Sequence, residues 1–342
     1  KYHSVMCSTF SSFNTKLSAD CVAWCPHPNY EHILACATYQ LVENREGDLP
    51  NLRNGLIWIF QFLNQSLEML SCNTTSGVLD IKWNPATEVS EPILGAAHST
   101  GELIIYRLIY NEEGSLSLSV ISSVRICEGG LSLYLDWNLD GKEVVITDSN
   151  GGATCVTINE HFNLILTKKI KSHQFEAWVG LYDTTNSNII FTGGDDCKLK
   201  MITTEGGMSI LKSSDYHSMG VTALGVAKRK ANILLSGSYD EKLVCWDVRS
   251  FKAPLSSLEM GGGVWRCVWH PTKDLVLCSC MHNGHHIVDT TNLSKPEVIH
   301  SYHDHKSLAY GADWCHGDPV VASVSFYDCL LNIWGVHEQN FQ

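Results

Sequence analysis

Short runs in which apolar and polar residues alternate, separated by tight polar turns, make up most of the chain. In residues 233–247 an apolar run leads into small residues, a polar turn follows at 239–242, and a second alternating run ends at Trp246 and Asp247. Two short strands joined by a tight turn are the pattern of a β-hairpin. Small residues before the turn and Trp-Asp at the end are typical of a WD40 propeller blade.

These hairpins recur with a regular period. An aromatic or apolar residue, called here the marker residue, precedes each hairpin; the seven markers are Trp24, Trp83, Trp137, Tyr182, Val226, Trp269 and Trp314. From Trp137 onward they lie 43–45 residues apart, and the two earlier gaps are 59 and 54 residues. A period near 40–45 residues is that of a four-stranded propeller blade. The pattern predicts an all-β fold, a seven-bladed WD40 β-propeller forming a single domain over residues 1–342.

The two ends of the chain are predicted to join. The last repeat lacks a fourth strand after residues 329–336, and residues 2–10 have the pattern of a strand. We expect this N-terminal strand to close the ring, because pairing the two ends hides an exposed sheet edge. The polar stretch 39–54, with Gly47 and Pro50, is predicted to be a loop inserted into the first hairpin.

Several histidines have a structural role in this pattern. Three repeats carry a histidine shortly before the first strand and an aspartate in the hairpin turn; the pairs are His173 with Asp196, His217 with Asp240, and His305 with Asp328. WD40 blades link such a pair to a strand serine and a tryptophan, predicted here as Ser238 and Trp246. A buried imidazole requires hydrogen-bond partners, so we assign these residues to the fold rather than to chemistry.

Composition narrows the possible partners and compartment. The chain is 44% hydrophobic and 18% charged, with a net charge of −12, which argues against nucleic-acid binding and favours a neutral or basic partner. No apolar run approaches the ~18 residues of a membrane span. Most of the fourteen cysteines lie in strand-like runs without a strong zinc spacing. We therefore expect buried thiols, a reducing environment and a cytoplasmic protein.

Distinct motifs resemble a known family. They are GGVWRCVWHP at 262–271, CMHNG at 280–284, LAYGADW at 308–314 and SADCVAWC at 18–25. Together they resemble the diphthine methylesterase family, WD40-repeat proteins of diphthamide biosynthesis. The resemblance implies hydrolysis of the methyl ester of methylated diphthine, a modified histidine of elongation factor 2, to diphthine and methanol. It implies no metal or cofactor, and it allows other diphthamide-pathway proteins as partners.

Ester hydrolysis needs an activated nucleophile or water, a base, and donors for the oxyanion. The hydrolase signature Gly-x-Ser-x-Gly is absent. His282 is the candidate base, because it lies in a turn outside the structural network; the alternative is an ordinary exposed turn histidine. Tyr310 is a candidate for orienting water. Asp313 is a candidate for holding the base or attracting a cationic substrate.

Three further residues are candidates for substrate binding. Trp265 could form a wall for a quaternary ammonium group, since aromatic faces attract cations, although core packing is the alternative. Arg266 could bind a carboxylate or the oxyanion, and Asp195 is a further acidic candidate. The neighbouring histidines of 282–286 and 300–305 form no convincing metal site, because strand alternation sends neighbours to opposite faces.

A second function, from another class, fits the same repeats. Many proteins with one fold serve unrelated functions, and most WD40 propellers present a surface to partner proteins without catalysing a reaction. The repeats alone favour such a non-catalytic scaffold, whereas the family motifs favour the esterase.

Overall fold

The computed structural model describes residues 7–42, 53–88, 90–316 and 320–336. Most of the predicted inserted loop, residues 43–52, and the start of the predicted N-terminal strand, residues 2–6, lie outside the described residues. Within the described ranges the chain forms 29 strands and no helix, so none that could cross a membrane. The first of these strands is β1 (Cys7–Asn14).

The first three blades are antiparallel sheets built from consecutive strands. Blade 1 contains β2 (Ala19–Trp24), β3 (Ile33–Thr38), the two-residue β4 (Gln40–Leu41), β5 (Arg53–Leu63) and β6 (Ser66–Ser76). Blade 2 contains β7 (Val78–Trp83), β8 (Ile93–His98), β9 (Glu102–Tyr110) and β10 (Leu116–Arg125). Blade 3 contains β11 (Ser132–Trp137), β12 (Glu143–Asp148), β13 (Gly152–Ile158) and β14 (Leu164–Lys171).

The next three blades repeat the same order. Blade 4 contains β15 (Val179–Tyr182), β16 (Ile189–Gly193), β17 (Leu199–Thr203) and β18 (Ser209–Ser214). Blade 5 contains β19 (Val221–Val226), β20 (Ile233–Ser238), β21 (Lys242–Asp247) and β22 (Ser256–Glu259). Blade 6 contains β23 (Arg266–Trp269), β24 (Leu275–Ser279), β25 (His285–Asp289) and β26 (Glu297–Tyr302).

Blade 7 joins the two ends of the chain. It contains β27 (Ala309–Trp314), β28 (Val320–Ser325) and β29 (Leu330–Val336), and β1 is its outermost strand. The β1–β29 ladder is antiparallel and runs from Cys7 opposite Val336 to Asn14 opposite Leu330. The seven-bladed propeller predicted from the repeats is confirmed, as is its closure by the N-terminal strand.

Every marker residue is the last residue of its blade's first strand. Four marker tryptophans donate an indole hydrogen bond of 3.0–3.1 Å to the backbone carbonyl one residue before the preceding blade's marker. The pairs are Trp83 with Ala23, Trp137 with Lys82, Trp269 with Gly225, and Trp314 with Val268. The markers therefore tie neighbouring blades together, including blades that lack the histidine network.

The predicted network of blade 5 forms, with one correction. His217 Nδ1 lies 3.0 Å from Asp240 Oδ2, and its Nε2 lies 2.7 Å from the hydroxyl of Ser236. The Trp246 indole also donates to Ser236, at 2.8 Å. The predicted serine, Ser238, was wrong. It lies next to the turn, where it accepts the Asp240 N–H, while Ser236 lies deeper in the strand between the two rings.

The other two predicted pairs differ from each other. His173 Nδ1 lies 2.7 Å from Asp196 Oδ1, and its Nε2 lies 2.9 Å from Thr192, as the pattern predicts. His305 also reaches a serine hydroxyl of its blade, 2.7 Å away. Its Nδ1 and Asp328 Oδ1, however, have no hydrogen-bond partner among the described residues, so the pair predicted in blade 7 does not form.

Candidate functional site

The seven first strands form a closed ring around the propeller axis. Each packs against the first strand of the next blade, and β27 of blade 7 packs against β2 of blade 1. Residues four positions before the markers share one level at one end of this ring. We call them the mouth ring; they are Asp20, Leu79, Leu133, Trp178, Thr222, Trp265 and Tyr310.

Backbone irregularities place several mouth-ring side chains. The ladder between first and second strands is interrupted between Ala19 and Cys21, and again between Ala309 and Ala312. Asp20 and Tyr310 lie in these interruptions, and similar ones occur in blades 2, 3 and 5. A β-bulge frees a residue from the ladder and re-aims its side chain. The repeated irregularity therefore places side chains of different chemical types, such as Asp20 and Tyr310, at the same end of the ring.

Four aromatic rings meet at this opening; we call Trp178, Tyr239, Trp265 and Tyr310 the aromatic mouth. Trp265 stacks on Tyr310 with ring centroids 4.8 Å apart, and lies 5.6 Å from Trp178 and 6.0 Å from Tyr239. All four side chains are partly exposed. The structure thus brings together two predicted site residues, Trp265 and Tyr310, from adjacent blades.

Asp195 belongs to the same group. Its Oδ1 accepts a 3.0 Å hydrogen bond from the Trp178 indole, and the carboxylate contributes, after burial, to raising the pKa of the Tyr239 hydroxyl. The sequence motifs did not point to Trp178, which the structure adds to the candidate site. The available signal was its register, four residues before the marker Tyr182, the same position that Trp265 and Tyr310 hold before theirs.

Arg266 reaches across the channel below the aromatic mouth. From blade 6 its guanidinium lies 3.1 Å from Asp80 Oδ1 of blade 2 and donates to the Leu79 carbonyl at 3.3 Å. It also lies 4.8 Å from the Tyr134 ring centroid. Burial opposes the charge on Arg266, but Asp80 and Tyr134 outweigh it and raise its pKa. The predicted substrate-binding arginine is thus already paired within the protein.

Asp313 lies toward the other end of the channel. It lines a cavity of about 410 Å³ that also includes Asp136 and His316. Its two carboxylate oxygens accept the backbone N–H groups of Trp24 and Trp314, at 2.8 and 2.9 Å. Three residues of strand, about 10 Å, separate it from the Tyr310 level. The structure therefore does not bring Asp313 together with the aromatic mouth.

His282 is exposed in the hairpin turn of blade 6, on the same face as the aromatic mouth. The preceding residue, Met281, bridges Ala309 at the start of β27. His282 lines a separate surface pocket of about 470 Å³ with His303, His305 and other residues of the adjacent turn. The lining includes neither Trp265 nor Asp313, so the predicted base and its predicted partner lie apart.

One buried carboxyl at this end was missed entirely. Asp20 is 2% exposed, and its Oδ1 has no hydrogen-bond partner among the described residues. Burial raises its pKa to about 7; Arg266 opposes this rise and Asp80 adds to it. After burial, the charge of Asp20 is also the largest cause of the raised pKa of Tyr39 and of Tyr310. Asp20 therefore lies close to the aromatic mouth.

The remaining titratable groups of the described residues form neither a metal site nor a disulfide. Across the described ranges, no three His, Cys, Asp or Glu side chains are arranged to hold a metal ion. All fourteen cysteines are described, and none forms a disulfide.

Comparisons with known proteins agree with the fold and identify relatives. No protein-family model matches the sequence. A chain from the crystal structure of a mitotic checkpoint complex superposes with a TM-score of 0.76, covering 98% of this chain and 94% of its own. At 13% identity this likeness shows the fold alone.

Three curated relatives are similar over nearly the whole chain. The diphthine methyltransferase of Mus musculus is 34% identical and matches 91% of this chain and 70% of its own length. The Homo sapiens protein of the same name is 33% identical, over 90% and 75%. The diphthine methyltransferase homolog of Dictyostelium discoideum is 31% identical, over 94% and 98%. This chain belongs to the diphthine methyltransferase family.

Proposed function

We propose that this protein hydrolyses the methyl ester of methylated diphthine on elongation factor 2, producing the diphthine carboxylate and methanol. The relatives' name supplies diphthine and a methyl group as the chemistry of the family. In hydrolysis, water attacks the acyl carbon of the ester, and methanol leaves. We infer hydrolysis rather than transfer because the motifs at 262–271 and 280–284 resemble those of the diphthine methylesterase family.

The aromatic mouth is the observation that carries this proposal. Diphthine bears a quaternary ammonium group, which cannot donate hydrogen bonds and is recognised by aromatic faces and nearby negative charge. Trp178, Tyr239 and Trp265 lie within 6.4 Å of one another, measured between ring centroids. Asp195, bonded to the Trp178 indole, supplies the negative charge. We assign Trp265 and Asp195 to ammonium binding.

Tyr310 is suited to the ester end of the substrate. It stacks on Trp265, so a substrate whose ammonium contacts Trp265 places its ester nearby. Burial, with the charge of Asp20, raises the pKa of the Tyr310 hydroxyl, which therefore keeps its proton. A protonated phenol can donate a hydrogen bond to the ester carbonyl oxygen and to the oxyanion that develops from it. Arg266 supports the site indirectly, by fixing Asp80 beneath it.

His282 and Asp313, both predicted as catalytic, receive weaker support. His282 opens onto its own surface pocket on the aromatic-mouth face, where it could contact the protein part of elongation factor 2. Asp313 uses both oxygens to bind backbone N–H groups near the opposite end of the channel. We therefore propose that neither acts directly on the ester.

The test is incubation of the purified protein with elongation factor 2 that carries methylated diphthine. We expect methanol release together with a methyl-sized mass loss from the modified histidine. Trp265→Ala should raise KM at least about 10-fold, the equivalent of roughly 1.4 kcal/mol of lost cation–aromatic and packing interaction. The matched control is Phe175→Ala, which removes an aromatic ring that is 58% exposed outside the mouth and should leave KM unchanged.

Two other results would point to different functions. Tight binding of elongation factor 2 without methanol release would support the non-catalytic scaffold, which most proteins with this fold are. Appearance of the methyl group on an acceptor other than water would support methyl transfer, the reaction in the relatives' name. Either result rejects hydrolysis.

A further inference from the structure

Asp20 differs from the other carboxylates near the channel in having a fully buried oxygen without a hydrogen-bond partner among the described residues. Asp195 accepts a hydrogen bond from Trp178, and Asp80 is paired with Arg266. Asp20 is as buried as Asp80, at 2% exposed, and more buried than Asp195, yet its Oδ1 has no hydrogen-bond partner among the described residues. Leaving a buried polar atom unpaired costs stability, so such an atom calls for an explanation.

The backbone around Asp20 places it beside Tyr310. Asp20 lies in the bulge of β2, at the same register as Tyr310 in the bulge of β27. The two strands are in contact: a side chain added at Gly311 would lie 2.7 Å from the Asp20 carbonyl oxygen. Glycine at 311 therefore allows the close approach that puts Asp20 and Tyr310 at one level of the opening.

We propose that Asp20 is the general base of the ester hydrolysis, acting through its unpartnered oxygen on the water molecule that attacks the ester at the aromatic mouth. This inference rests on the proposed function. Asp20 lies in blade 1, away from the turn of blade 6 that contains His282, the base predicted from the sequence. Two independent observations support the assignment: the register that places Asp20 beside Tyr310, and the unpartnered oxygen of a side chain that is only 2% exposed.

The reaction balances with water as the only co-reactant. The Asp20 carboxylate takes a proton from water as the water oxygen bonds to the ester carbonyl carbon. The carbonyl becomes a tetrahedral oxyanion, to which the Tyr310 hydroxyl can donate. The C–O bond to the methoxy group then breaks, and the proton on Asp20 passes to that oxygen, which releases methanol. The product acid ionises to a carboxylate, and Asp20 returns to its ionised state.

The surroundings suit this role. Arg266 favours the ionised form of Asp20, whereas burial and the carboxylate of Asp80 favour the neutral form, and the resulting pKa is about 7. The other titratable groups that feel its charge stay neutral because burial raises the pKa of each; they are Tyr39, Tyr239, Tyr310, Cys21 and Cys36. A base with a pKa near the working pH is the most effective, because it is both sufficiently ionised and sufficiently basic.

Asp20→Asn tests the proposal, with Asp136→Asn as its matched control. Asp136 is also a buried carboxyl with a raised pKa, about 6, but it lines the cavity at the opposite end and accepts the Tyr182 N–H. We expect Asp20→Asn to lower kcat about 100-fold or more with KM nearly unchanged. Asp136→Asn should retain kcat within about twofold. The wild-type rate should rise with pH through about 7. The residual activity of Asp20→Asn should not show this rise, which is the acidic limb of the pH–rate profile.

The outcomes separate this inference from the proposed function. Absence of methanol release by the wild-type protein rejects the function itself. Wild-type activity with an unimpaired Asp20→Asn variant, or with loss on His282→Ala instead, overturns the assignment to Asp20 and leaves the function standing. If Asp20→Asn fails to fold, Asp20→Glu serves: a displaced carboxylate should retain a reduced rate with a shifted acidic limb, and an unaltered rate and limb would overturn the assignment.

Discussion

At the scale of single residues, position within the repeat decides what a side chain does. Ser236 and Ser238 are two residues apart on one strand, and both are buried. Ser236 bonds His217 and Trp246 within the blade, whereas Ser238 accepts the Asp240 N–H of the adjacent turn and donates to the Met219 carbonyl. Composition and spacing could not separate them, because the outcome depends on how deep in the sheet the two rings meet.

Removal of the two hydroxyls should have unequal effects. Ser236→Ala leaves a buried imidazole nitrogen and a buried indole N–H without a shared partner, and should lower the free energy of unfolding by about 1–3 kcal/mol. Ser238→Ala should cost about 1 kcal/mol or less, since turn groups can rebond to water. Urea unfolding of both variants measures the difference. Equal losses would show that Ser236 is not the centre of the network.

Asp20 should make stability depend on pH in a defined direction. Burial raises its pKa from 3.8 to about 7, so the folded state holds its proton more tightly than the unfolded state does. Its contribution to stability is complete below about pH 4 and is lost as pH rises to about 7. Asp20→Asn, which is always neutral, should exceed the wild type in free energy of unfolding by about 1–4 kcal/mol at about pH 8. The gain should be smaller at about pH 5; a pH-independent difference would contradict a raised pKa.

At the scale of elements, the strands were the most predictable part of the fold. The hairpin pattern located the second and third strands of every blade, and each marker proved to end a first strand. The predicted histidine–aspartate pair of blade 7 failed although its residues have the right spacing. Spacing places His305 and Asp328 in the same blade but does not determine the side-chain rotamers that decide whether their atoms meet.

The closing strand should contribute measurably to stability. Phe13 of β1 packs edge-on against Trp58 and Phe60 of blade 1, with ring centroids 5.1 and 4.8 Å apart, so β1 also fastens blade 7 to its neighbour. Phe13→Ala should lower the free energy of unfolding by about 1–3 kcal/mol. The control is Val120→Ala on the outer strand of blade 2, which is 60% exposed and should change it by less than about 0.5 kcal/mol. Similar effects of both variants would contradict a structural role for β1.

At the scale of the whole molecule, ring closure assembles the site from distant parts of the chain. The aromatic mouth draws on blades 4, 5, 6 and 7, Asp20 comes from blade 1, and Arg266 spans from blade 6 to blade 2. Sequence reasoning named Trp265, Tyr310 and Asp195 as candidate site residues, and the structure places these three side chains together. The Arg266–Asp80 pair could not be predicted, because only the closed ring brings these blades face to face.

The register of the repeat also held information that the motifs did not. Asp20 and Trp178 lie four residues before their markers, as Trp265 and Tyr310 do. That shared position predicts a shared level of the ring, and applying it to all seven repeats finds the missed residues. It does not tell which ring members carry chemistry: Leu79, Leu133 and Thr222 occupy the same level.

The proposed hydrolysis requires that water attack the acyl carbon of the methyl ester at the aromatic mouth. The most direct measurement is mass spectrometry of the products formed on elongation factor 2 in water enriched in heavy oxygen. If water attacks the acyl carbon, one heavy oxygen should appear in the new diphthine carboxylate and none in the methanol. Heavy oxygen in the methanol, or a methyl group transferred to another acceptor with no label in either product, would contradict it.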